Sequence, residues 1–173
     1  MKRLLVLAAA VGLLATACSK DTPSAPSTPP KPTFTATLST ANEVPPITGP
    51  EATGSGNATI TFDVTRDAAG NITGGTATFV VNLSGFPAGT PINIAHIHQA
   101  AAGVNGSVVF STSLAAGEVT LANGSGTFTK SNISPPDVAI FNAVINNPAG
   151  FYFNAHTTLN PGGVVRGQLV RTQ

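Results

Sequence analysis

The chain has 173 residues, with eight Lys and Arg, seven Asp and Glu, three His, one Cys and no Trp. That length suits one ordinary domain with a proper core. A charged fraction of only 9% argues against charge-driven disorder and against a nucleic-acid binder. The single Cys rules out an intrachain disulfide framework and any multi-cysteine zinc site.

In chain order, Lys2 and Arg3 come first, then an apolar run over residues 4–14, too short for a permanent bilayer span. Small residues follow, and Leu14-Ala15-Thr16-Ala17-Cys18 resembles a bacterial lipobox, with Ala15 where Leu is commonest. The reading is a signal peptide over residues 1–17 and a lipidated Cys18; a plain secretory signal with a chance cysteine is the alternative. Acyl chains hold a protein on a membrane at roughly 0.8 kcal/mol per buried methylene, so the expected site is the bacterial cell envelope. Ser19, rather than Asp, favours the outer membrane. After cleavage six basic and seven acidic residues remain, a balance that draws no anionic partner.

Residues 18–32 form the lipidated cysteine and a Pro/Ser/Thr-rich linker. Five prolines fall within residues 19–32, without a large apolar side chain, as in an extended spacer. Residues 33–171 then form one domain. Threonine is abundant, with 23 residues, and alternates with apolar residues in a two-residue period that predicts strands. Strands are expected at 34–38, 58–65, 76–83, 92–98, 107–111, 118–121, 125–130, 151–156 and 164–170. One stretch departs: Ser134-Pro135-Pro136-Asp137 reads as a helix N-cap with proline in the first turn. Val138, Phe141, Val144 and Ile145 then carry the helical spacing to about Asn146. The sum is an all-β antiparallel sandwich or Greek-key barrel with one short helix.

All three histidines fall in two predicted strands. His96 and His98 flank Ile97, so on a strand both rings take one face. His156 ends another strand and shares its face with Tyr152 and Asn154. If those strands are neighbours, three imidazoles converge, a donor set that suits copper or zinc. Exposed or core histidines without a metal remain the alternative.

Several segments together resemble the CHRD domain. They are Ala41-Asn42-Glu43-Val44-Pro45-Pro46, Ala95-His96-Ile97-His98 with Gly103-Val104-Asn105-Gly106, and Phe151-Tyr152-Phe153-Asn154-Ala155-His156-Thr157 with Asn160-Pro161-Gly162-Gly163 and Arg166-Gly167-Gln168-Leu169. The resemblance implies an immunoglobulin-like fold distantly similar to copper/zinc superoxide dismutase. It also implies recurrent polar positions at Glu43, His96, His98, His156 and Arg166. Glu43 and Arg166 suggest a structural ion pair tying the first strand's end to the last strand, with charges solvated at loops as the alternative. Two positions depart from the family's habit: Gln99 stands where Gly is frequent, and Val164 where Glu is frequent.

No nucleophile elbow is present, since the Gly-Ser-Gly runs at 54–56 and 124–126 lack the strand–turn–helix context. The acids form no pair matched for glycoside hydrolysis. The expectation is therefore a non-catalytic, surface-anchored binding module, possessing a copper or zinc site at His96, His98 and His156. A metal-free envelope interaction or scaffold domain, binding protein or glycan, is the rival.

Overall fold

The computed structural model describes residues 29–173. The signal segment, Cys18 and the linker before residue 29 lie outside the described residues.

Ten strands and one helix make up the domain. The strands are β1 (Thr33–Ser39), β2 (Ser55–Arg66), β3 (Ile72–Ser84), β4 (Thr90–Gln99), β5 (Ser107–Ser111), β6 (Val119–Leu121), β7 (Gly126–Ile133), β8 (Phe151–Thr157), β9 (Val165–Gln168) and β10 (Val170–Arg171), and the helix is α1 (Ala139–Asn146). Every strand pairing is antiparallel. They form one sheet in the order β5-β4-β8-β9-β1-β2-β3-β7, with β10 on β1 and β6 on β4.

The period-two pattern decides which side chains face inward. Phe34, Ala36 and Leu38 of β1, Ala58, Ile60 and Phe62 of β2, and Ala77, Phe79, Val81 and Leu83 of β3 are buried. The intervening threonines and asparagines face outward and bond across strands, as where Asn82 donates to Asn57 at 3.0 Å and Thr127 donates to Asn82 at 2.7 Å. The sheet curls until its two halves face each other across phenylalanines. Phe79 of β3 lies 5.4 Å from Phe110 of β5 and 6.3 Å from Phe153 of β8, centroid to centroid. Helix α1 adds Phe141, 4.8 Å from Phe62. Each such burial contributes about 1.5–3 kcal/mol.

Two expectations need correction. The helix begins at Ala139 rather than after Ser134. Pro136 disfavours a helical Pro135, so the chain enters the helix only through a bend at 136–138, where the Asp137 carboxylate accepts from the Ala139 N–H at 2.8 Å. The strand expected over 164–170 is two, because Leu169 turns into the core and donates its N–H to Phe151 O at 2.9 Å.

Candidate metal centre

Register builds the centre. In the β4–β8 ladder Ile94 faces His156, His96 faces Asn154 and His98 faces Tyr152. In the β8–β9 ladder Asn154 faces Arg166. Directly paired residues share a face, so one side of this part of the sheet carries Ala95, Ile97, Phe151, Phe153 and Ala155 into the core. The opposite side carries His96, His98, Tyr152, Asn154, His156 and Arg166. That polar side is itself covered by the segments 40–54, 100–106 and 158–163. All seven residues of β8 are consequently buried.

Within this layer the three histidines offer ring nitrogens that all lie within 4.8 Å of one another. Nε2 of His96 and Nε2 of His156 are 2.7 Å apart. The His98 and His156 rings are each anchored from behind: Nδ1 of His98 lies 2.9 Å from Gly106 O, and Nδ1 of His156 lies 2.9 Å from Pro161 O. A carbonyl only accepts, so each Nδ1 carries the proton and each Nε2 is left as a lone pair. Nε2 of His98 is buried with no partner among the described residues. Burial lowers the basicity of all three rings. His96 is pushed down to about 3, first by desolvation and then by the His156 and His98 charges. His98 and His156 are also lowered, chiefly by desolvation and partly offset by their carbonyl bonds. The neutral rings are in the form that ligates metal.

The donor set fits a metal ion. Inward-facing imidazole nitrogens suit zinc and copper: Nε2 is bare on His98 and His156, and His96 would give up the proton it shares with His156; main-chain carbonyls behind two of the rings are the usual outer support. Nitrogens each about 2.1 Å from one ion stand about 3.4 Å apart at tetrahedral angles, so His96 and His156 would separate slightly to share it.

A second group adjoins the histidines. The Tyr152 ring stacks on His98 at 4.7 Å with an interplanar angle of 4°, and the Arg166 guanidinium carbon sits 4.8 Å from the centre of the Tyr152 ring. Arg166 donates from Nε to Asn42 O at 2.5 Å and from Nη1 to Asn105 Oδ1 at 2.8 Å. Its Nε is 3.9 Å from the Glu43 carboxylate, and the two side chains are 3% and 6% exposed. Glu43 and Arg166 are thus side by side and out of water, rather than solvated at loops. Burial pushes the Glu43 carboxyl up to about 7, against the pull of Arg166. Four buried side-chain atoms have no partner among the described residues: Glu43 Oε1, Asn154 Oδ1, Arg166 Nη2 and His98 Nε2. All four belong to this one layer.

The family model of the CHRD domain matches residues 34–169. The chain belongs to the CHRD domain family. Neither a curated protein nor a solved structure matches it.

In this CHRD domain the motif residues scattered from 43 to 166 meet in one covered layer. The two departures do not enter it as donors. Gln99 is exposed at the end of β4, and Val164 is fully buried in the core. Sequence reasoning gave no role to Glu51, which is buried and accepts from Thr157 Oγ1 and from Asn160 Nδ2. No local pattern marks it, because an isolated acid in a Gly- and Thr-rich turn looks solvated until the turn at 158–163 is laid against it.

Proposed function

We propose that this CHRD domain is a non-catalytic binding module whose ligand is one copper or zinc ion, held by His96, His98 and His156, and that Cys18 carries a lipid anchor holding the domain in the bacterial envelope, at the outer membrane. The observation that carries the metal reading is the buried Nε2 of His98, without a partner among the described residues, in a cluster of three histidines whose candidate ligand nitrogens lie within 4.8 Å of one another. A buried polar atom left unpaired costs free energy, and an ion at this point satisfies it. Bound copper would supply one-electron chemistry and bound zinc a structural tie; the chain itself supplies neutral donors and exclusion of water. The lipobox-like run ending at Cys18 supports the anchor.

The direct test is metal analysis and titration of the purified, tag-free domain. One copper or zinc per chain, lost in the His96→Ala/His98→Ala variant, is expected. No stoichiometric metal under excess of either ion eliminates the reading. Mass spectrometry of the envelope-extracted protein tests the acyl groups on Cys18. A second reading, a metal-free interaction domain binding an envelope protein or glycan, draws on Val44, Val104 and Leu159. All three are exposed on the segments that cover the histidine layer.

A further inference from the structure

Both carbonyls behind the histidines come from turns, so something must hold those turns in place. For His98 the turn is tied by residues already in the layer: Asn105 accepts from Arg166, and the Gly106 N–H donates to Tyr152 Oη at 3.3 Å. For His156 the tie comes from elsewhere. Pro161 supplies the carbonyl but has no N–H of its own to anchor it. Around it, Thr157 Oγ1 accepts from the Asn160 N–H at 3.0 Å, and Asn160 O accepts from the Gly163 N–H at 3.2 Å. Two side-chain donors of this turn then converge on one atom. Oε2 of Glu51, in a residue only 4% exposed, accepts from Thr157 Oγ1 at 2.7 Å and from Asn160 Nδ2 at 2.6 Å. Glu51 is not among the residues whose donor atoms meet at the histidine cluster.

We propose that Glu51 is a positioning residue of the histidine centre: by clamping the 157–163 turn it keeps the Pro161 carbonyl on Nδ1 of His156, and so fixes Nε2 as the nitrogen His156 offers to a metal. The inference rests on the metal-binding reading above. Both clamping bonds end on a single oxygen, so an acceptor is required there and a charge is not. A glutamine, whose amide oxygen takes the place of Oε2, preserves the clamp, whereas an alanine removes it.

The test needs no metal for its main readout. In the metal-free domain with 15N-labelled histidine, long-range proton–nitrogen correlation reports which ring nitrogen carries the proton. Wild type and Glu51→Gln are expected to show His156 as a single Nδ1–H tautomer, and Glu51→Ala a mixture or the Nε2–H form. Copper or zinc titration should then show Glu51→Ala weaker by about 10- to 100-fold, the usual scale for losing outer support of a ligand, with Glu51→Gln near wild type. Asn160→Ala, which removes one of the two bonds, should fall between and serves if Glu51→Ala does not fold. An unchanged tautomer in both Glu51→Ala and Asn160→Ala overturns the proposal. So does a Glu51→Gln variant that behaves like Glu51→Ala, since charge would then be the cause. Failure of the wild-type domain to bind either ion sinks the metal reading alone, because the tautomer result stands apart from it.

Discussion

His96 and His156, 60 residues apart in the chain, bring their Nε2 atoms to 2.7 Å. Since His156 gives its Nδ1–H to Pro161, its Nε2 accepts, and His96 must be the donor. A proton added to either ring would put charge into a site sheltered from water beside two more imidazoles.

Acid should therefore destabilise the metal-free domain through these rings. Their folded-state basicities lie below the ordinary value of 6.5, with His96 at about 3. The unfolded chain then binds more protons in that window, so the stability they contribute is full above pH 6.5 and is lost as pH falls toward 3. The slope is at most about 1.4 kcal/mol per pH unit for each histidine. Urea unfolding between pH 4 and pH 8 measures it, and His96→Gln should flatten the curve. A wild-type profile that is level from pH 6.5 to pH 4 would contradict the shifts.

Glu43 works in the opposite direction. Its carboxyl is raised from 4.5 to about 7, so its contribution is full below pH 4.5 and declines as pH rises through 7. Glu43→Gln should accordingly cost little at pH 5, whereas Arg166→Met should cost about 3–5 kcal/mol at pH 8, where it strands a buried charge. A double-mutant cycle is expected to give a coupling that grows from pH 5 to pH 8. Zero coupling at both values would mean that the pair, though 3.9 Å apart, does not act as one.

Gly163 packs against Asn154 and Glu43. It holds φ +129°, and a Cβ added there would lie 2.5 Å from Asn154 Nδ2 and 3.0 Å from Glu43 Oε1. Gly163→Ala should cost on the order of 1–3 kcal/mol through backbone strain, with the clash in addition. Gly162→Ala, with nothing within 4 Å of its added Cβ, is the control, and thermal melts of the two variants decide.

Metal loading should appear as thermal stability. At free ion a thousandfold above Kd the folded state gains about 4 kcal/mol, on the order of 10 °C in Tm for a domain of this size. Chelation should reverse the shift and His98→Ala abolish it. A melt that copper and zinc leave unmoved counts against the site.

The alternation of Thr with Phe, Ile and Ala made most strands legible, because one face of each is core and the other is wet. Reading His96 and His98 as same-face neighbours follows from that same period. The strand β8 defeats the rule: Tyr152, Asn154 and His156 look like an outward polar side, yet the three covering segments bury them. Local pattern cannot register cover supplied by residues 40–54, which is also why nothing in the sequence around Glu51 sets it apart. The family motifs named Glu43 and Arg166, but their closeness depends on β9 pairing with β1, where Ser39 meets Arg166. The helix ends at Asn146 as its spacing implies, but it starts later than the cap-like run suggests, because the second proline of the pair constrains the first.

The first and last described strands also have a use beyond closing the sheet. Thr172 donates its N–H to Thr33 O at 2.8 Å, so the two ends of the domain emerge side by side. A short graft joining residue 172 to residue 33 lets the chain be reopened at the exposed hairpin tip, residues 67–70, as a circular permutant. The histidine layer should survive such rewiring, since it depends on which strands lie together and not on which is synthesised first.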